Sequence, residues 1–141
     1  MSYDIIGDIH GHADALKALL HSMDYREAKG VWQHPDRQAI FVGDFIDRGP
    51  KQVESVEVVR RMVNDGFAQA VMGNHEFNAI AWFLPNPDQP GEFLRPHHSP
   101  KYGDKNYAQH KAFLEEVNGT PRHKEIIDWF PHGSEAKRHL H

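Results

Sequence analysis

Three times in its first eighty residues this chain runs through a short apolar stretch into a glycine followed by oxygen and nitrogen donors. The three runs are Gly7-Asp8-Ile9-His10-Gly11, Gly43-Asp44-Phe45-Ile46-Asp47-Arg48-Gly49 and Gly73-Asn74-His75-Glu76. An apolar run too short for a helix and ended by glycine reads as a buried strand. The donors therefore belong at strand ends. If the chain stays extended, Asp8 and His10 at i and i+2 point the same way, and a carboxylate converges with an imidazole. Asp44 and Asn74 hold the matching places after Ala39 to Gly43 and Phe67 to Gly73. Strands lying parallel in one sheet would bring all four donors to its carboxyl edge, where open α/β folds place their ligands. Together the runs read as one metal site.

The sequence between the runs is helical in pattern. Tyr3 to Gly7 predicts a first strand, and His12 to Met23 a helix whose Leu16, Leu19, Leu20 and Met23 recur at i, i+3, i+4 and i+7. Arg37 to Val42 predicts a second strand. Pro50 then stands at a favoured first helical position before Val53, Val56, Val59 and Val63. Asp65-Gly66 ends that helix, Phe67 to Met72 forms a third strand, and Glu76 to Phe83 opens a third helix. Strand and helix alternating three times predict an α/β fold with a parallel sheet.

These three runs in this order, with their first glycines 36 and 30 residues apart, resemble the signature of the calcineurin-like metallophosphoesterases. The likeness is to the phosphoprotein phosphatase branch, which includes serine/threonine phosphatases and dinucleoside tetraphosphatases. It covers residues 4 to 84 and thins beyond. It implies the βαβαβα half of a metallophosphoesterase sandwich, followed by a Pro-rich loop and two helices. It also implies a metal-dependent hydrolase of phosphate mono- or diesters, with a phosphorylated small molecule, nucleotide or phosphoprotein as substrate.

Within that resemblance, Asp44 bridges two cations, Asp8 and His10 complete the first, and Asn74 reaches the second. Arg48 clamps the phosphate, and His75 protonates the leaving oxygen while Asp47 holds its ring. Oxygen and nitrogen donors favour Mn²⁺, with Fe or Zn as alternatives. Glu76 reads as a first-turn acid or a structural partner rather than a ligand. His12, His21, His34 and His110 read as surface residues or supports behind the ligands.

After Leu84 the texture changes. Pro85, Pro87, Pro90, Pro96 and Pro100 crowd one stretch, so residues 85–107 are expected to form an irregular loop, either a surface excursion or an insert beside the metal edge carrying His97 and His98. Ala108 to Val117 and Arg122 to Phe130 predict two core-facing helices, followed by a solvated tail over 132–141. The whole chain of 141 residues is expected to form one domain.

The resembling phosphatases continue into a second half that supplies two more histidines, a second arginine and a further sheet. This chain is expected to lack it, leaving the second metal only Asp44 and Asn74, or else to borrow His132, His139 or His141 from the tail. A catalytically incomplete remnant that binds one metal and serves binding or assembly is the alternative. A missing half would also leave an apolar face open to self-association or to a separate partner chain.

Composition narrows the remaining classes. The formal charge of −4 offers no basic field for a nucleic-acid duplex. There is no cysteine, so disulfides and thiolate ligands are excluded. The longest apolar stretch, Ala79 to Leu84, is far short of the roughly 20 residues of a membrane span. A first strand starting by Tyr3 leaves no room for a signal peptide, and the expected location is the cytoplasm.

Overall fold

The computed structural model describes residues 2–139, with side chains to Pro131. Three strands form the central parallel sheet in the order β1 (Ser2–Ile6), β4 (Arg37–Phe41), β5 (Ala68–Ala70). Ser2 pairs with Arg37 and Ile6 with Phe41, while Ala39 to Phe41 pair with Ala68 to Ala70. Helices α1 (Ala13–Ser22), α2 (Gln52–Asn64) and α3 (Asn74–Phe83) follow the three strands in turn, so the alternation expected from the sequence is the alternation observed.

Ala39, Ala68 and Ala70 are small residues on the buried side of the sheet. They let α2 and the C-terminal helix α5 (Pro121–His139) pack against it. Val56, Val59, Met62 and Val63 of α2 are buried there, as are Phe113, Leu114 and Val117 of α4 (Gly103–Val117) and Ile126, Ile127 and Phe130 of α5. Each such side chain stabilises the fold by roughly 1.5–3 kcal/mol relative to exposure. On the opposite face Tyr3, Ile5 and Val42 are exposed by 48%, 72% and 46%.

Several elements differ from expectation. Arg26–Ala28 (β2) and Val31–Gln33 (β3) form an antiparallel hairpin that the sequence pattern did not announce. Its turn, Lys29-Gly30, has φ of 53° and 78°, the double positive φ of a type I′ turn. Leu19 is 43% exposed, so the buried stripe of α1 is Ala13, Leu16 and Leu20. Lys51 caps α2 and Pro50 lies outside it, because a carboxylate from α4 fills the capping role: Glu116 accepts the N–H of Gln52 at 2.5 Å and of Val53 at 3.0 Å.

The irregular stretch ends at 102, where α4 begins at Gly103. It is tied down by an antiparallel bridge between Pro85 and Phe93 and by Glu92, which accepts the N–H groups of His97 and His98 at 2.8 and 3.0 Å. The final helix runs through Pro131 to His139 rather than giving way to a tail at 132. His141 lies outside the described residues, and His132 and His139 outside the described side chains, so a borrowed ligand from that segment stays an expectation. Among the described residues no helix is long and apolar enough to cross a membrane.

Candidate metal centre

All three strands end at the same edge, and the loops that follow them are laced together by backbone bonds. His10 donates its N–H to Asp44 O and Gly11 to Phe45 O, while Gly49 donates to His10 O, each at 2.8 Å. The second and third loops approach still more closely. A Cβ on Gly43, where φ is 94°, would lie 2.3 Å from the Gly73 nitrogen, so only glycine fits.

Asp8, His10 and Asp44 come together, with one ligand atom from each within 4.8 Å of the others. They do not converge by strand alternation, as the sequence pattern implied. The strand stops at Ile6, and Asp8, His10 and Asp44 have φ of 55°, 45° and 56°, in the left-handed region. Asp47 and Arg48 follow at 75° and 80°, so among the described residues five of the seven non-glycine residues with positive φ lie in two of these loops. Each costs on the order of 1–3 kcal/mol unless the surroundings hold it, which marks the edge as a strained site held by its neighbours.

His10 is oriented from behind. Its Nδ1 lies 2.9 Å from the Ile46 carbonyl, which can only accept, so the proton sits on Nδ1 and the Nε2 lone pair faces Asp8 Oδ1 at 3.8 Å. The Asp8 carboxylate is 85% exposed and free to take a cation. Asp44 Oδ1 accepts the His75 N–H at 3.3 Å. Asn74 starts α3 directly after Gly73, at the same edge, and is exposed.

Behind this edge lies a second group. Asp47 is fully buried, and its Oδ2 is 2.7 Å from His75 Nδ1. The His75 ring packs edge-on against His10 with centroids 4.6 Å apart, which brings the first and third runs into contact. Arg48 is exposed and lines, with His75, a cavity of about 720 Å³ whose far wall is α4, including Gln109, Lys111 and Glu115. Arg48 and Asp47 do not pair, since Asp47 turns inward to histidines.

Glu76 is the structural partner that holds the edge. It is completely buried, and its two oxygens accept the N–H groups of Asp44 at 2.5 Å, Phe45 at 2.9 Å, Gly73 at 3.0 Å and Ile46 at 3.4 Å. Burial pushes its pKa up, against the pull of those N–H donors. Gln52 does the same for the second loop, accepting the Asp47 N–H at 2.6 Å and donating to Gly49 O at 2.8 Å.

Sequence reasoning missed Gln52, Gln109 and Arg95 at this place. Arg95 from the Pro-rich loop donates to Gln109 Oε1, and the Gln109 amide nitrogen sits 3.3 Å from His75 Nδ1. Nothing in residue type or spacing separates these side chains from ordinary surface polar groups. His97, by contrast, is a packing residue. Its ring is stacked between Trp82 and Phe93 at 3.5 and 3.8 Å, and burial pushes its pKa down.

Comparison with known proteins follows the same lines as the geometry. The family model for calcineurin-like phosphoesterases matches residues 1–139. A bis(5′-nucleosyl)-tetraphosphatase PrpE [asymmetrical] from Halalkalibacterium halodurans is 45% identical over 76 residues, covering 53% of this chain and 31% of that protein. Its namesake from Bacillus subtilis is 39% identical over 88 residues, covering 62% and 36%. The matches span about a third of the length of these relatives. A solved cold-active protein tyrosine phosphatase superposes with a TM-score of 0.50 over 92% of this chain and 37% of its own, at 23% identity, and shares the fold.

Proposed function

The chain belongs to the calcineurin-like phosphoesterase family, and from that premise we propose that it is a metal-dependent phosphoesterase, hydrolysing phosphate mono- or diesters by direct attack of an activated water. Dinucleoside polyphosphates are the favoured substrate class, on the strength of the tetraphosphatases it resembles. Three ligand atoms within 4.8 Å, beside a buried Asp-His pair, carry the proposal.

The donors fit a divalent cation. Two carboxylates and an imidazole whose second nitrogen is already committed to a carbonyl are the set that Mn²⁺, Fe or Zn accept. A cation held there would supply Lewis-acid polarisation of phosphoryl oxygens and activation of a water. Asp8, His10 and Asp44 would hold it, with Asp44 and Asn74 as the donors toward a second ion.

The remaining steps fall to the chain's own side chains. Arg48, exposed on the cavity wall, offers a planar fork of donors to a phosphate. His75 Nδ1 is held by Asp47, which leaves Nε2 to face the departing oxygen as its proton donor. An in-line displacement then needs no covalent intermediate.

One observation favours a second reading. Among the described residues the second ion has only Asp44 and Asn74, so a chain that binds a single cation and serves binding or assembly without turnover is the alternative. Elemental analysis of protein loaded with Mn²⁺ and desalted, beside hydrolysis of p-nitrophenyl phosphate, separates the two. Two ions with turnover support the enzyme, one without turnover supports the alternative, and none without turnover counts against both. Asp44→Asn should cut metal affinity and any turnover at least 10–100-fold, the loss typical of even an outer partner; unchanged turnover would sink the mechanism.

A further inference from the structure

His110 lies on α4, away from the three donor runs, and is fully buried. Its Nδ1 is 3.1 Å from Asp47 Oδ1 and 3.0 Å from Asp47 Oδ2. Asp47 thus stands between two imidazoles, His75 in front and His110 behind. Among the described residues His110 is the one side chain that reaches Asp47 Oδ1. Without it, a carboxylate oxygen would be buried with no donor, which is costly.

The other ring nitrogen fixes the tautomer. His110 Nε2 is buried and has no hydrogen-bond partner. A proton there would be stranded beside the Trp82 ring, whose centroid is 6.3 Å away. The proton therefore belongs on Nδ1, the ring donor aimed at Asp47.

We propose that His110 is a positioning residue for phosphoryl transfer: from α4 it fixes the rotation of the Asp47 carboxylate, and so the orientation and tautomer of His75. This rests on the role proposed above for His75. A structural histidine that merely filled space would not care which of its nitrogens carries the proton, whereas this device depends on a donor at Nδ1.

The test uses the full chain labelled with ¹⁵N-histidine, free of metal, and reads ring tautomers by long-range ¹H–¹⁵N correlation. His110 is expected as the Nδ1–H tautomer, and His75 likewise. His110→Gln, which places its amide nitrogen near the Nε2 position, should leave His75 as a mixture of tautomers. His110→Asn, whose amide nitrogen falls near Nδ1, should restore the wild-type pattern. Thermal unfolding establishes that each variant is folded.

In parallel, kcat and KM are measured with Mn²⁺ on p-nitrophenyl phosphate and phenyl phosphate. His110→Gln should lower kcat by about 10–100-fold at unchanged KM, more for phenyl phosphate, whose poorer leaving group needs the proton from His75. His110→Asn should recover most of it. An Nε2–H tautomer at His110, or a His75 pattern indifferent to both substitutions, would overturn the proposal. Absence of turnover in the wild type counts against the phosphoesterase reading, and the tautomer measurement still decides the role of His110.

Discussion

At the carboxyl edge of the sheet, buried polar side chains sit among apolar ones such as Ile9, Phe45 and Ile46. Glu76, Asp47 and Gln52 hold backbone N–H groups and imidazoles, including the N–H groups of Asp44 and Asp47, two residues at positive φ. In the layer formed by α4 and α5, Phe113, Leu114, Ile126 and Phe130 are buried by apolar contact alone. The first region converts folding energy into geometry, since each bond both closes a buried polar group and aims a donor. These apolar contacts supply stability without specifying chemistry. A substitution at the edge should therefore move stability and metal affinity together, and one at these four apolar residues should move stability only.

The sharpest way to break that contrast is Glu76→Gln. It keeps the volume but turns one oxygen into a donor facing two backbone N–H groups, each worth about 1–3 kcal/mol when left unpaired. A loss of about 2–6 kcal/mol in urea unfolding is expected, with weaker metal binding by titration of the folded fraction. If stability falls while the metal constant holds, the edge is not the coupled unit described above.

Phe113→Ala tests the other side. Phe113 is fully buried between His123 and Phe130, and truncation should cost about 3–5 kcal/mol. The metal dissociation constant of the variant, measured where it is still folded, should equal that of the wild type.

His123 sharpens the comparison through pH. It is buried against the Phe83 and Phe113 rings with Nε2 unpartnered, and burial pushes its pKa down. Above the ordinary imidazole value of about 6.5 neither state is charged and the group costs nothing. As pH falls below 6.5 the unfolded chain takes up a proton that the folded chain refuses, so stability is lost with acid, by at most about 1.4 kcal/mol per pH unit. His123→Phe should be the more stable protein at pH 5.5, and the gap between the two unfolding curves should close by pH 7.5.

The smallest effect is expected at the exposed Ile5. Ile5 is 72% exposed, so Ile5→Thr should change unfolding by no more than about 0.5 kcal/mol. A larger loss would mean that this face is covered in solution.

Much of this was legible in the residues, for physical reasons. Strand-helix alternation follows from apolar periodicity, and the helices carrying Phe113 and Ile126 declare themselves by spacing. The β2-β3 hairpin did not, because three-residue strands are too short to alternate and Lys29-Gly30 is a weaker turn signal than Asn-Gly. The start of α4 was hidden by a glycine at its first position. At the edge, residue types pointed to Asp8, His10 and Asp44, but the left-handed backbone that joins them is a property of packing between loops 36 residues apart. His110 was read only as a surface or supporting residue, since nothing local in sequence ties position 110 to position 47.

The sheet order β1-β4-β5 has a kinetic consequence. Asp8 and Asp44 belong to neighbouring strands separated by a helix and a hairpin, so no partly folded chain with an undocked β4 can chelate a cation through both. Closing a loop of that length must precede any reward from the ion. A cation bound there would be linked to the native state alone and would stabilise it by mass action, by about 2.7 kcal/mol at a hundredfold excess over the dissociation constant. A metal-starved chain would unfold more readily than a metal-replete one, and its lifetime in the presence of proteases would track the supply of the ion.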